Sequence, residues 1–140
     1  MRKVTVLVGV MPPPLLRVVE YLFRKHPDIQ IVARPRQARN IARHACRYLP
    51  DMIVINQRLL GKEALETIAQ IKRCSPGSKL ILIHSDDVRG GRRYGADAYL
   101  AEEAIVRRLL VVVQRLVEER KAGISAGQGA ARQLGLGSAP

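Results

Sequence analysis

The sequence predicts a doubly wound α/β domain, a parallel five-stranded sheet with helices on both faces. Three observations carry that expectation. Short apolar runs alternate with segments of helical periodicity along most of the chain. The runs are apolar at consecutive positions, as in strands buried on both faces, and lack the in-out alternation of a half-exposed sheet. Apolar residues make up 47% of the 140, enough for one real core and too many for a disordered chain.

Val4–Val10 is the first apolar run, and Pro12-Pro13-Pro14 ends it. Met1-Arg2-Lys3 ahead of this run has the flavour of a signal peptide. The prolines and the lack of a small-x-small cleavage site favour a buried strand instead. Leu15, Val18, Val19, Leu22 and Phe23 follow at helical spacing, with Arg17, Glu20, Arg24 and Lys25 opposite. Pro14 falls in the first turn, where its missing N–H costs nothing. His26-Pro27-Asp28 breaks that helix, and Ile29–Ala33 is a shorter second strand. Gln37–Tyr48 is helical, with Ile41, Ala42, Ala45 and Leu49 on one face. Leu49-Pro50-Asp51 turns into Met52-Ile53-Val54-Ile55, the clearest buried strand. Leu65, Ile68, Ala69 and Ile71 mark a third helix, ended at Ser75-Pro76-Gly77. Leu80–Ile83 and Ala98–Leu100 are the fourth and fifth strands. Ile105, Leu109, Val113 and Leu116 mark a last helix ending near Lys121, and the Gly-, Ala- and Ser-rich stretch 122–140 reads as a flexible tail beside a domain spanning 1–121. Strand alternating with helix in this way suits the flavodoxin-like order 2-1-3-4-5, with ligands or partners at the carboxyl ends of the strands.

Composition limits the function. Lys plus Arg number 24 against 12 acidic residues, a net charge of +12 carried mostly by 18 arginines. Such an excess speaks of attraction to polyanions, not of fold. The longest aliphatic run, Leu109–Val113, falls far short of the roughly 20 residues of a membrane span, so no membrane partner is expected. Cys46 and Cys74 have no metal spacing and form no disulfide framework. The expectation is a cytoplasmic protein with two small, reduced, buried thiols.

Two segments carry a resemblance. Leu49-Pro50-Asp51-Met52-Ile53-Val54-Ile55-Asn56, followed five residues later by Gly61, resembles the third strand of bacterial response-regulator receiver domains. Gly95-Ala96-Asp97-Ala98-Tyr99-Leu100 resembles their fifth strand. With strand order and spacing, the similarity runs from about Lys3 to Leu116. It implies phosphotransfer to a strand-end aspartate. An acidic pair after the first strand holds Mg²⁺, which needs hard oxygen ligands. A Thr or Ser after the fourth strand and a Lys after the fifth bind and neutralise the phosphoryl group.

The sequence departs from that pattern at each place. The acidic pair falls on Val10 and Met11, which cannot ligate Mg²⁺. The phosphoacceptor falls on Asn56, an amide with no nucleophilic carboxylate. The hydroxyl position falls on His84, with Ser85 adjacent, and the lysine position on Glu102, a reversal of charge. Together these imply a pseudo-receiver with no phosphorylation, metal, cofactor or catalytic residue. Two readings of the old pocket stay open: filled by Met11 and tied by hydrogen bonds from Asn56, or a drifted rim of no present use. His84 and Glu102 should end adjacent strands at one rim. Tyr99 matches the family's switch aromatic, and its plainer reading is a partly buried strand residue with its hydroxyl at the rim. About four residues fewer than usual separate His84 from Gly95, and Gly90-Gly91 lies between them. The family's fourth helix should therefore be short or irregular. Asp86-Asp87 reads as helix-start carboxylates rather than metal ligands.

With that chemistry lost, function is expected on surfaces. Arg36, Arg39, Arg43 and Arg47 form one stripe on the second helix, and no carboxylate occurs between Ile29 and Pro50. Arg89, Arg92 and Arg93 form a second basic group with Arg107 and Arg108, beside Val111 and Val112 of the last helix. An acidic protein partner and a homodimer through the last helix fit these surfaces. The alternative is a basic transcriptional regulator holding nucleic-acid phosphates non-specifically through its arginines. No Trp, one Phe and four scattered Tyr leave few stacking platforms for single strands, and no helix-turn-helix pattern follows the similar region. The expected function is phosphorylation-independent regulation in bacterial signal transduction, through protein contact and not as an enzyme.

Overall fold

The computed structural model describes residues 3–57, 63–84 and 95–134. β1 (Val4–Gly9) leads to α1 (Pro13–Arg24), β2 (Ile29–Ala33), α2 (Ala38–Tyr48) and β3 (Met52–Asn56). α3 (Ala64–Cys74), β4 (Lys79–His84), β5 (Ala98–Ala101), a 3-10 turn (Glu102–Ala104) and α4 (Ile105–Leu134) follow. The strands form one sheet in the order β2-β1-β3-β4-β5, every pair parallel, as the sequence predicts.

The continuous apolar runs are explained by the two cores they serve. Successive side chains of a strand point to opposite faces. Val6, Val8, Met52, Val54, Ile81 and Ile83 therefore meet α1 and α4, through Val19, Phe23, Leu109, Val113 and Leu116. Leu7, Ile53, Ile55, Leu80 and Leu82 meet α2 and α3, through Ile41, Ala45, Ile68 and Ile71. All five residues of β3 are buried, as the central position requires. Each such side chain contributes roughly 1.5–3 kcal/mol by leaving water.

Helix ends follow local chemistry. Pro13 and Pro14 fill the first positions of α1, where no N–H is needed. α2 ends on Leu49 in the left-handed conformation, φ 45° and ψ 56°, with its N–H on the Ala45 carbonyl. That is a glycine's usual place, here held by an exposed leucine.

The amino edge of the sheet is pinned by Asp51. Its carboxylate accepts hydrogen bonds from the Thr5 amide (2.9 Å) and the Thr5 hydroxyl (3.2 Å). Its other oxygen lies 3.0 Å from Nη1 of Arg120. Arg120 also donates from Nε to the Gly77 carbonyl at 2.8 Å. One arginine of α4 thus ties the start of β3 and the turn before β4.

Three expectations need correction. Cys46 and Cys74 are joined in a disulfide, their Cα atoms 5.3 Å apart. Cys46 is exposed and Cys74 half-buried. The pairing arises because α2 and α3 lie side by side on one sheet face, which brings together residues 28 apart in sequence. Val112, expected on the outer surface, is buried in the α1–α4 core at 4% exposure. It lies next to Val113 on a helix whose inward face is wide enough to take both. The last helix runs to Leu134, past the expected end at Lys121; the alanines in this stretch favour helix against its glycines. Gly61, Asp86, Asp87, Arg89, Arg92, Arg93 and the expected short fourth helix lie outside the described residues.

Candidate functional site

The carboxyl ends of β1, β3, β4 and β5 make one rim. Register places Gly9 opposite Ile55, Asn56 opposite Ile83, and His84 opposite Ala101. Val10, Met11, Asn56, His84 and Glu102 therefore gather at the place where a doubly wound sheet presents its ligands.

Val10 adopts φ 51°, an uncommon choice for a β-branched residue. Its amide donates to the Pro35 carbonyl at 2.9 Å, and its side chain, 6% exposed, packs in the α2–α3 core. Met11 goes the other way and packs against the α1–α4 core. The two residues straddle the end of the sheet, one in each core. Both bring apolar atoms, and neither offers an oxygen.

Asn56 is fully buried. Its amide nitrogen donates to Oε2 of Glu102 at 3.1 Å. Glu102 sits on the 3-10 turn just past β5, half-buried. His84 and Glu102 end adjacent strands at one rim, and the Glu102 carboxylate has Asn56 as a partner. The amide and carboxylate are complementary: a carboxyl at position 56 would face the Glu102 carboxylate. His84 closes β4 at 7% exposure.

Tyr99 is half-buried against the α2–α3 core. Its hydroxyl accepts a hydrogen bond from the Ala96 amide at 3.1 Å. Ala96 precedes β5, so the hydroxyl turns back toward the strand's start and away from the rim where the sequence reading put it. Asp97 anchors the same corner: one carboxylate oxygen takes the Leu80 amide (2.7 Å) and Lys72 Nζ (2.9 Å).

The surfaces are partly as expected. Arg36, Arg39, Arg43 and Arg47 are all exposed along α2 and its approach. The Arg47 guanidinium lies 5.6 Å over the Tyr48 ring. Arg107, Arg108 and Val111 are exposed on α4, and Val106 joins them at 68% exposure, a residue the sequence reading passed over. Its place beside Ile105 masks it in a linear pattern. Since α2 and α4 cover opposite faces of the sheet, the two described basic groups face apart. Among the described residues no group of His, Cys, Asp and Glu could hold a metal ion. No helix among them is long and apolar enough to cross a membrane.

No protein-family model matches the chain. It is 27% identical over 95 residues to the nitrate/nitrite response regulator protein NarL of Escherichia coli K12; the match spans 64% of this chain and 44% of that protein. The CheY-like receiver domain protein from Methanospirillum hungatei JF-1 superposes with a TM-score of 0.75 at 16% identity, covering 87% of this chain and 98% of that one. CheY6 from R. sphaeroides, solved in complex with the P1 domain of CheA3, matches with a TM-score of 0.62 at 16% identity, over 73% of this chain and 84% of that one. Strand order, register and these likenesses agree: the chain has the CheY-like fold of response-regulator receiver domains.

Proposed function

We propose that this chain is an atypical receiver-like regulator in bacterial two-component signalling that acts by protein contact without being phosphorylated. The Asn56–Glu102 hydrogen bond carries the reading. It joins the two residues to which the resemblance assigns the phosphoacceptor and the neutralising lysine, and there it offers an amide held by a carboxylate. An amide is not a phosphoacceptor. Val10 and Met11 supply no oxygen for Mg²⁺, and a phosphoryl group arriving here would meet the Glu102 carboxylate in place of a cation. The pocket is fixed in one arrangement, and partner recognition falls to the arginine and valine surfaces. The protein complex formed by CheY6 supports contact of this kind.

Incubation with a small phosphodonor and Mg²⁺ tests the first half of the proposal. No phosphoryl gain in intact mass is expected; one gained group located in this pocket would overturn it. Affinity capture from native cells, with and without nuclease, tests the second. Capture that survives nuclease supports a protein partner. The exposed arginine stripe favours one alternative, a salt-dependent contact with nucleic-acid phosphates. Loss of every partner on nuclease treatment would select it.

A further inference from the structure

The Cys46–Cys74 bond has no role in the reading above, and its position is unusual for a staple. Disulfides that only hold a fold together are typically resistant to reduction, whereas exposed ones are the labile and regulatory class. Cys46 is exposed on the last turn of α2. Cys74 is half-buried at the end of α3, its sulfur 3.9 Å from the Ala42 carbonyl. The two residues therefore differ in access, and the Cys46 side is the more open to an incoming thiolate.

The surroundings of Cys46 favour exchange. It lies within the arginine stripe, one helical turn after Arg43 and next to Arg47, in a stretch from Ile29 to Pro50 without a carboxylate. An anionic low-molecular-weight thiol is drawn to such a surface, and a thiolate at position 46 emerges in a stretch of the chain whose only charged side chains are basic. The bond also joins the two helices that cover one face of the sheet. Opening it removes the covalent tie between α2 and α3.

We propose that Cys46–Cys74 is a thiol–disulfide exchange site, entered through Cys46 by a low-molecular-weight thiol of the glutathione class, that sets how firmly α2 is held to α3. The thiolate attacks Sγ of Cys46, the protein S–S bond breaks, and Cys74 leaves as thiolate and takes a proton. A second thiolate attacks the small thiol's sulfur in the mixed disulfide and releases Cys46. Two small thiols become one small disulfide, and the protein gains two electrons and two protons. The reverse sequence closes the bond, with the small disulfide as oxidant.

The test uses the whole chain. Millimolar reduced glutathione should open the bond in the native protein, raising intact mass by about 2 Da, and oxidised glutathione should close it again. In Cys74→Ser, Cys46 should capture glutathione from its disulfide at least about tenfold faster than Cys74 does in Cys46→Ser. On opening, amide exchange in the last turn of α2 should speed up by about tenfold while β3 is unchanged. A bond that glutathione opens only after urea unfolding would overturn the proposal without need of any variant. So would equal capture rates at the two cysteines, unchanged exchange in α2, or two thiols that oxidised glutathione fails to join.

Discussion

The pairing of Asn56 with Glu102 can be examined by replacing the amide with a carboxylate. Asn56→Asp removes the amide donor and sets a second carboxylate where Nδ2 now lies 3.1 Å from Oε2 of Glu102. Two unit charges at that distance repel by roughly 5 kcal/mol at an effective dielectric of 20 and by roughly 1 kcal/mol in bulk water. Asn56 is fully buried and Glu102 half-buried, so the cost lies between these limits. The lost hydrogen bond adds about 1 kcal/mol, and rotation of Glu102 toward solvent recovers part of the repulsion. A loss of about 2–4 kcal/mol at pH 7 is expected, a large share of the 5–15 kcal/mol typical of a domain.

The loss depends on pH with a definite sign. The carboxyl introduced at position 56 has its folded pKa raised above the unfolded value of about 3.9, because its charged form faces another carboxylate and sits out of water. At about pH 3 and below both folded and unfolded chains hold that proton, and the penalty is absent. It grows as pH rises and is complete above the raised folded value. Urea unfolding at pH 7 should show the midpoint of Asn56→Asp about 1–3 M below wild type. At pH 4 the gap should narrow to little more than the hydrogen-bond contribution. Adding Glu102→Lys should recover at least half of the loss by turning repulsion into attraction. Equal midpoints for wild type and Asn56→Asp at pH 7, a loss of the same size at both pH values, or a double variant no better than the single would refute the reasoning.

Three further perturbations follow from the fold. Replacing both cysteines with serine, or reducing the bond, frees a loop of 28 residues; the chain-entropy relation gives a loss of about 3.5 kcal/mol, read as a lower urea midpoint without reductant. Asp51→Ala leaves Arg120 and the Thr5 amide without their shared carboxylate and should cost about 3 kcal/mol in the same assay; a change below about 1 kcal/mol would show that the amino edge is held by packing. Leu49→Gly removes a side chain that is 57% exposed from a left-handed helix end, and should raise stability by about 0.5–1 kcal/mol, because relief of the strained conformation exceeds glycine's entropy cost. A loss in Leu49→Gly would assign Leu49 a packing role.

Much of this architecture was legible before any coordinates. Residues 6–9, 52–55 and 80–83 announce themselves because the stretch of a strand that is buried on both faces is apolar at consecutive positions. The rim was legible for the same reason: strand ends in a parallel sheet gather at one edge, so Val10, Asn56, His84 and Glu102 had to meet. Which of them touch was not legible. Asn56 reaches Glu102 because β5 ends in a 3-10 turn, and a turn of three residues leaves no periodic signal. Tyr99 could be placed on its strand, but the direction of its hydroxyl depends on a rotamer. The disulfide was hidden because it depends on two helices lying side by side on one face, and a separation of 28 residues does not encode that. Arg120 and Asp51 are far apart in the chain and belong to no motif, so their tie also emerges only from packing.

The carboxyl end of β1 and the arginine helix are in contact, which bears on how a change in α2 can reach the rim. Val10 and Ile41 share the α2–α3 core. A Cβ added to Gly9 would lie 3.3 Å from both Cδ1 and Cγ1 of Ile41, closer than ordinary packing. Gly9→Ala therefore asks α2 to give by a few tenths of an ångström. With Cys46–Cys74 closed, α2 is held at its far end and has little room to yield, so the substitution should cost about 1–2 kcal/mol. With the bond open the helix is freer to move, and the cost should fall by about half. A double-mutant cycle between Gly9→Ala and the paired cysteine replacement measures that coupling, and about 0.5–1 kcal/mol is expected. Strict additivity would show that α2 rides on the sheet independently of its disulfide, and that opening the bond leaves the carboxyl end of β1 untouched.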